Sequence, residues 1–121
     1  MADLRGRIFL VVEDEFAIAD ELAQALQRSG ADVLGPISTL NGTLRVLDII
    51  KRIDGAVLDT SLHGEPVYAV AGALEARGVP FVFSMDQDES GIPARYEAVP
   101  RWIRTSRLED LTRMLEGQFR R

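Results

Sequence analysis

The sequence predicts an α/β domain built on a parallel sheet, and three observations predict it. Short continuous apolar runs alternate five times with longer stretches whose apolar residues fall at helical spacing. No internal repeat, low-complexity stretch or linker breaks the alternation. The second and fifth runs carry an internal proline, whereas the first and third carry none.

The first run is IFLVV, Ile8 to Val12, followed by a stripe at Ile18, Leu22, Ala25 and Leu26 that Gly30 should stop. The second is ADVLGPI, followed by Leu40, Leu44 and Leu47 on a helix expected to end near Gly55. The third is AVL, Ala56 to Leu58. Pro66 then suits a first helical position, ahead of Val67, Val70, Ala71 and Leu74, with Gly78 as the stop. The fourth, VPFVFSM, precedes the polar stretch DQDESGIPARYEA. Ser90, Gly91 and Pro93 give residues 87 to 97 weak helix propensity, so the fourth helix should be short, displaced or mobile, and able to fold on binding. The fifth run, VPRWI, leads to Ser106 and Glu109, spaced as a capping box, and to Leu108, Leu111, Leu115 and Phe119 on one face.

Five strand-then-helix units with right-handed crossovers imply a parallel sheet with helices on both faces. Pro36 and Pro100 each remove a ladder donor, which sends the second and fifth strands to the sheet edges. The expected architecture is therefore a flavodoxin-like (βα)5 fold with strand order 2-1-3-4-5, in which strands 1 and 3 are neighbours at the topological switch point.

Length and composition bound the function. At 121 residues the chain is expected to be one domain, residues 1–121, with no output domain. No apolar run approaches the ~20 residues of a membrane span. The N-terminus MADLRGRIFLVVEDE lacks a secretory pattern and there is no cysteine, which together favour a cytoplasmic protein without disulfides. A net charge of −5 argues against direct nucleic-acid binding, and the basic tail Arg120 and Arg121 is too small to change that.

Ligands of such sheets bind beyond the carboxyl ends of the strands at the switch point. Glu13 and Asp14 follow the first strand and Asp59 ends the third, with no basic neighbour in its own segment, GAVLDTSLH. Three carboxylates brought together there repel one another unless protons or a cation intervene. Hard oxygen donors favour Mg²⁺, which leaves positions open for phosphate oxygens. The alternative is that these acids are simply solvated strand ends.

With these residues the chain resembles the receiver domain of two-component response regulators over essentially its full length, through VVEDE, VLDTSL and GVPFVFSMD. More narrowly, PVYAVAGALEARGVPFVF followed by RYEAVP is similar to single-domain receivers whose fourth strand reads Phe-Ala-Thr-Gly. The resemblance implies a phosphorelay phosphoprotein rather than an enzyme. Asp59 would accept a phosphoryl group from a histidine kinase or histidine phosphotransfer protein. Asp14 would bind Mg²⁺ directly, Glu13 through water and Ser61 through its backbone carbonyl. Output would pass by protein contact, through the face of the fourth helix, fifth strand and fifth helix or through a homodimer.

Two positions depart from the family. Where receivers have a threonine ending strand 4 and a lysine ending strand 5, this chain has Met85 and Arg104, followed by Thr105 where a proline is usual. Methionine cannot donate a hydrogen bond. Ser84 would substitute only through a one-residue register shift, because neighbouring strand residues face opposite sides. Arg104 keeps the charge, as a planar fork able to pair with Asp59. Asp86, Asp88 and Glu89 add negative charge, and Arg101 stands where a switching aromatic is common. These departures motivate a competing reading, a pseudo-receiver that acts by phosphorylation-independent protein interaction. A flavin or nucleotide protein of this architecture is disfavoured because VVEDEF is acidic where a phosphate loop would lie. An aspartyl phosphatase is disfavoured because Ser61 stands where its general acid would be. His63 reads as a plain loop residue, and Tyr96 and Trp102 as packing residues.

Overall fold

A computed structural model of the chain describes residues 2–87 and 91–119. The strands are β1 (Ile8–Val12), β2 (Asp32–Ile37), β3 (Gly55–Asp59), β4 (Ser61–Leu62), β5 (Glu65–Pro66), β6 (Phe81–Met85) and β7 (Arg101–Ile103). The α-helices are α1 (Phe16–Arg28), α2 (Leu40–Ile49), α3 (Tyr68–Ala76) and α4 (Leu108–Gly117). Five strands form one sheet in the order β2-β1-β3-β6-β7, with every neighbouring pair parallel. Its edges are the strand that holds Pro36 and the strand that Pro100 precedes, and the expected flavodoxin-like order holds.

Strand alternation divides the core in two. Leu10, Val12, Ala56, Leu58, Phe83 and Met85 face α2 and α3, where Leu47, Val70 and Leu74 pack. Phe9, Val11, Val57, Val82 and Trp102 face the opposite side, against Leu22 and Leu26 of α1 and Leu111 and Leu115 of α4. A residue's parity along its strand thus fixes its side of the sheet. Tyr96 is buried and stacked on Tyr68, and the indole of buried Trp102 donates to the Arg107 carbonyl, so both are packing residues as expected.

Several local expectations need correction. Pro66 does not open a helix. It closes a hairpin in which Ser61 faces Pro66 and Leu62 faces Glu65. His63 and Gly64, at φ 49° and 82°, supply the two positive angles of its tight turn, and α3 starts later, at Tyr68. α2 ends at Ile49 rather than near Gly55. The Arg77 guanidinium reaches across from the end of α3 and satisfies the carbonyls of Leu47, Ile50 and Lys51, each at 2.8 Å. The Ser106–Glu109 capping box does not form: α4 begins after Arg107, whose side chain bonds Glu109, while the Ser106 amide closes a turn onto Ile103. Between β6 and β7 the described residues hold no α-helix, only a 3₁₀ turn at Ala94–Tyr96. The (βα)5 pattern therefore lacks its fourth helix there, and so does the anticipated partner face. Asp88, Glu89, Ser90, Arg120 and Arg121 lie outside the described residues. The stops at Gly30 and Gly78 hold: both have positive φ, and the amides that follow them turn back to Leu26 and Leu74.

The start of β3 is held close to β1 by one glycine. A Cβ on Gly55 would stand 2.5 Å from Cε1 and 2.9 Å from Cδ1 of the fully buried Phe9 ring. Gly55→Ala is expected to destabilise the fold by about 1–3 kcal/mol, through displacement of that ring. Urea unfolding measures it, and an unchanged midpoint would show that the ring can yield.

Candidate functional site at the ends of β1, β3 and β7

β1 and β3 run in register up to Val12 opposite Leu58, so Glu13 and Asp59 leave the sheet side by side. One carboxylate oxygen from each of Glu13, Asp14 and Asp59 lies within 4.8 Å of the others. Glu13 and Asp59 are buried, at 2% and 5% exposure, and Asp14 sits at the rim. The bland alternative of separate, solvated acids is inconsistent with this geometry.

Backbone donors aim the three carboxylates. The Glu15 amide donates to Glu13 Oε2 at 3.1 Å, the Ser61 amide to Asp59 Oδ1 at 3.2 Å, and the His63 amide to Asp14 Oδ2 at 2.7 Å. The hairpin after β3 therefore folds back to fix an acid from β1. His63, expected to be a plain loop residue, contributes through its main chain, with its imidazole Nδ1 3.8 Å from Asp14. The His-Gly pair at the turn was the available signal for this hairpin.

Arg104 is brought directly into the cluster. Its backbone amide donates to the Met85 carbonyl at 3.0 Å, extending the β6–β7 ladder past the end of β7. Its side chain, 11% exposed, puts Nη2 3.0 Å from Glu13 Oε1 and 2.9 Å from Asp59 Oδ1. On the solvent side Nη1 lies 2.6 Å from Asp86 and 3.6 Å from Glu15. Nε donates to Ser84 Oγ at 3.3 Å. Pairing of Arg104 with Asp59 was foreseeable from charge; the roles of Glu13, Glu15 and Asp86 depend on how far β7 reaches.

The register of β3 and β6 decides between Met85 and Ser84. Ser84 is the partner of Asp59, and without any shift its hydroxyl accepts from the Arg104 guanidinium that pairs with the carboxylates. The register shift expected to be necessary is not needed. Met85 points to the opposite side and is buried at 1% exposure in the core with Phe83.

Charge crowding moves the acids in different directions. Burial, then the hydrogen bond with Asp59 and the charge of Asp59, push the Glu13 carboxyl up from its ordinary 4.5 to about 8, against the pull of Arg104. Burial also raises Asp59, opposed by its bonds to Glu13 and Ser61 and by Arg104. For Asp14 the effect of burial is outweighed by the His63 amide, a bond with Asp59 and the His63 charge, so its carboxyl lies below the usual range. Glu13 thus holds its proton well above the ordinary carboxylate range even with Arg104 beside it. The folded protein keeps this proton at pH values where the unfolded chain has lost it. Stability of the metal-free protein should therefore fall as pH rises from about 5 to about 8 and level off above, with the slope reduced in Glu13→Gln. Denaturant midpoints across that range measure it, and a flat wild-type profile would contradict it.

No family model matches the chain. SdrG from Sphingomonas melonis Fr1 is 33% identical, with a TM-score of 0.78 over 90% of this chain and 92% of that one. The receiver domain of the sensor histidine kinase PA1611 from Pseudomonas aeruginosa PAO1, solved with a magnesium ion coordinated in its active-site cleft, has a TM-score of 0.78 at 18% identity, covering 93% of this chain and 96% of its own. An uncharacterized transcriptional regulatory protein of Bacillus subtilis (strain 168), YbdJ, is 30% identical over 82 residues, which is 66% of this chain and 35% of YbdJ. The chain thus spans about a third of that protein's length. With the parallel order β2-β1-β3-β6-β7 and a relative 33% identical along nearly the whole of both chains, the chain belongs to the response regulator receiver domains.

Proposed function

We propose that the chain is a phosphoacceptor receiver in a phosphorelay, taking a phosphoryl group on Asp59 with Mg²⁺ and signalling by protein contact. The observation that carries this reading is the meeting of Glu13, Asp14 and Asp59 oxygens within 4.8 Å at the end of adjacent strands. Three hard oxygens at one partly open corner fit Mg²⁺, which takes few carboxylates and keeps its remaining positions for water or phosphate. Glu13, Asp14, Asp59 and the carbonyl of Ser61 are the ligands in this reading. Bound there, the ion would neutralise charge on the equatorial phosphoryl oxygens.

The residues divide the remaining work. An Asp59 oxygen attacks phosphorus of a phosphohistidine on a histidine kinase or phosphotransfer protein; the O–P bond forms, the P–N bond breaks, and the imidazole leaves with the electron pair and takes up a proton. The Ser61 amide on Asp59 Oδ1 holds the carboxylate in orientation. Arg104 offers two guanidinium nitrogens to phosphoryl oxygens in place of the usual lysine. Ser84, level with Asp59, supplies the hydroxyl that Met85 lacks. The chain then acts as a regulated phosphoprotein rather than an enzyme, in the cytoplasm and without nucleic-acid contact. Among the described residues no helix is long and apolar enough to cross a membrane. The outgoing contact in this reading uses β7, α4 and the 3₁₀ turn at Ala94–Tyr96, with a homodimer as a second mode.

A second reading is favoured by a specific observation: the guanidinium already forms an ion pair with Asp59 at 2.9 Å, and the Met85 side chain is committed to the core. In that reading the chain is a pseudo-receiver whose partner recognises the unmodified fold. Incubation with Mg²⁺ and acetyl phosphate, followed by intact-protein mass measurement, separates the two. One phosphoryl adduct, absent in Asp59→Asn, is expected. No adduct on folded wild-type protein would favour the pseudo-receiver. Ser84→Ala should slow adduct formation, or shorten the adduct's lifetime, by about threefold to tenfold, the worth of one neutral hydrogen bond. Unchanged kinetics would remove Ser84 from the site.

A further inference from the structure

We infer that Arg104 is a tethered counter-cation which occupies the acidic pocket in the resting protein and must swing outward before a divalent ion can bind fully. The inference rests on the metal reading above and concerns how that site is regulated.

Every guanidinium nitrogen of Arg104 is engaged. Nη2 donates to Glu13 Oε1 at 3.0 Å and forms an ion pair with Asp59 Oδ1 at 2.9 Å. Nη1 donates to Asp86 at 2.6 Å and lies within ion-pair distance of Glu15 at 3.6 Å, and Nε donates to Ser84 at 3.3 Å. A guanidinium has five N–H donors in a rigid fork, so it can bridge an inner pair and an outer pair of carboxylates together; the single nitrogen of an ammonium cannot span both. Two of the three acids that would hold the ion are therefore already paired with a positive charge. A divalent cation approaching the same oxygens meets that charge at contact distance, inside a pocket that screens it poorly.

The outer pair gives the arginine somewhere to go. Asp86 and Glu15 are largely exposed, at 80% and 64% for their side chains, and both are already engaged by Nη1. The Arg104 main chain is pinned by its bond to Met85, so the movement is a rotation of the side chain. Nη2 leaves Glu13 and Asp59 while Nη1 keeps Asp86. Ion entry and arginine exit are then two sides of one equilibrium, and each opposes the other by the same factor.

Titration calorimetry of Mg²⁺ binding to wild type, Arg104→Gln and Arg104→Lys tests this, together with the ¹⁵N–¹H signal of the Arg104 Nε in wild type. Arg104→Gln is expected to bind Mg²⁺ about ten- to a hundredfold more tightly. Arg104→Lys, which keeps the charge but not the fork, should fall between the two; a long-range charge effect alone would leave it equal to wild type. The wild-type Nε signal should move in step with Mg²⁺ saturation, a readout that does not depend on any variant folding. Equal affinities in wild type and Arg104→Gln, or saturation that leaves the Nε signal unmoved, would overturn the inference while leaving the metal site standing. Failure of every form to bind Mg²⁺ at millimolar concentration would overturn both.

Discussion

Everything distinctive in this structure follows from one constraint: acids leaving two adjacent parallel strands are forced into one small, mostly buried space. Register puts Glu13 beside Asp59, and the chain direction adds Asp14 at the rim. Desolvation makes their joint ionisation costly, so the protein must supply compensation. It does so three times over, with backbone amides from Glu15, Ser61 and His63, with a retained proton, and with the guanidinium of Arg104. None of these features is needed for the fold itself, which rests on the two apolar layers either side of the sheet.

The same pocket explains why changed family residues need not mean a lost site. The parity of β6 turns Met85 into core and presents Ser84 to the Arg104 guanidinium, so a hydroxyl is retained one position earlier in sequence. Replacing a lysine by Arg104 has a larger consequence, because a fork reaches four carboxylates where a point charge reaches fewer. Asp86, which in sequence looked like added repulsion, is the outer anchor of that fork. Read together, Arg104 and Asp86 form a compensated pair rather than two independent departures.

Much of this was legible in the sequence, for identifiable reasons. Apolar runs and stripes gave the element order, prolines 36 and 100 marked the edge strands, and the switch-point rule then placed Glu13, Asp14 and Asp59 together. What escaped was set by distance along the chain. The hairpin at 61–66 was hidden because Pro66 suits a helix start as well as a hairpin end. The end of α2 depends on Arg77, which caps the end of another helix far along the chain. The side on which Ser84 falls depends on the β3–β6 register, which no local pattern encodes. The fourth helix was rightly doubted on propensity, although its replacement by a 3₁₀ turn locked by Tyr96 against Tyr68 and Phe83 required tertiary packing to be seen.

In the proposed reading the acids ending the first and third sheet strands form one divalent-cation site. Anomalous scattering from a crystal soaked in Mn²⁺ tests it most directly. A single strong peak bounded by Glu13, Asp14 and Asp59 is expected, with the Arg104 guanidinium turned toward Asp86. A saturating soak with no peak between those carboxylates, and with Arg104 still bridging Glu13 and Asp59, would contradict it.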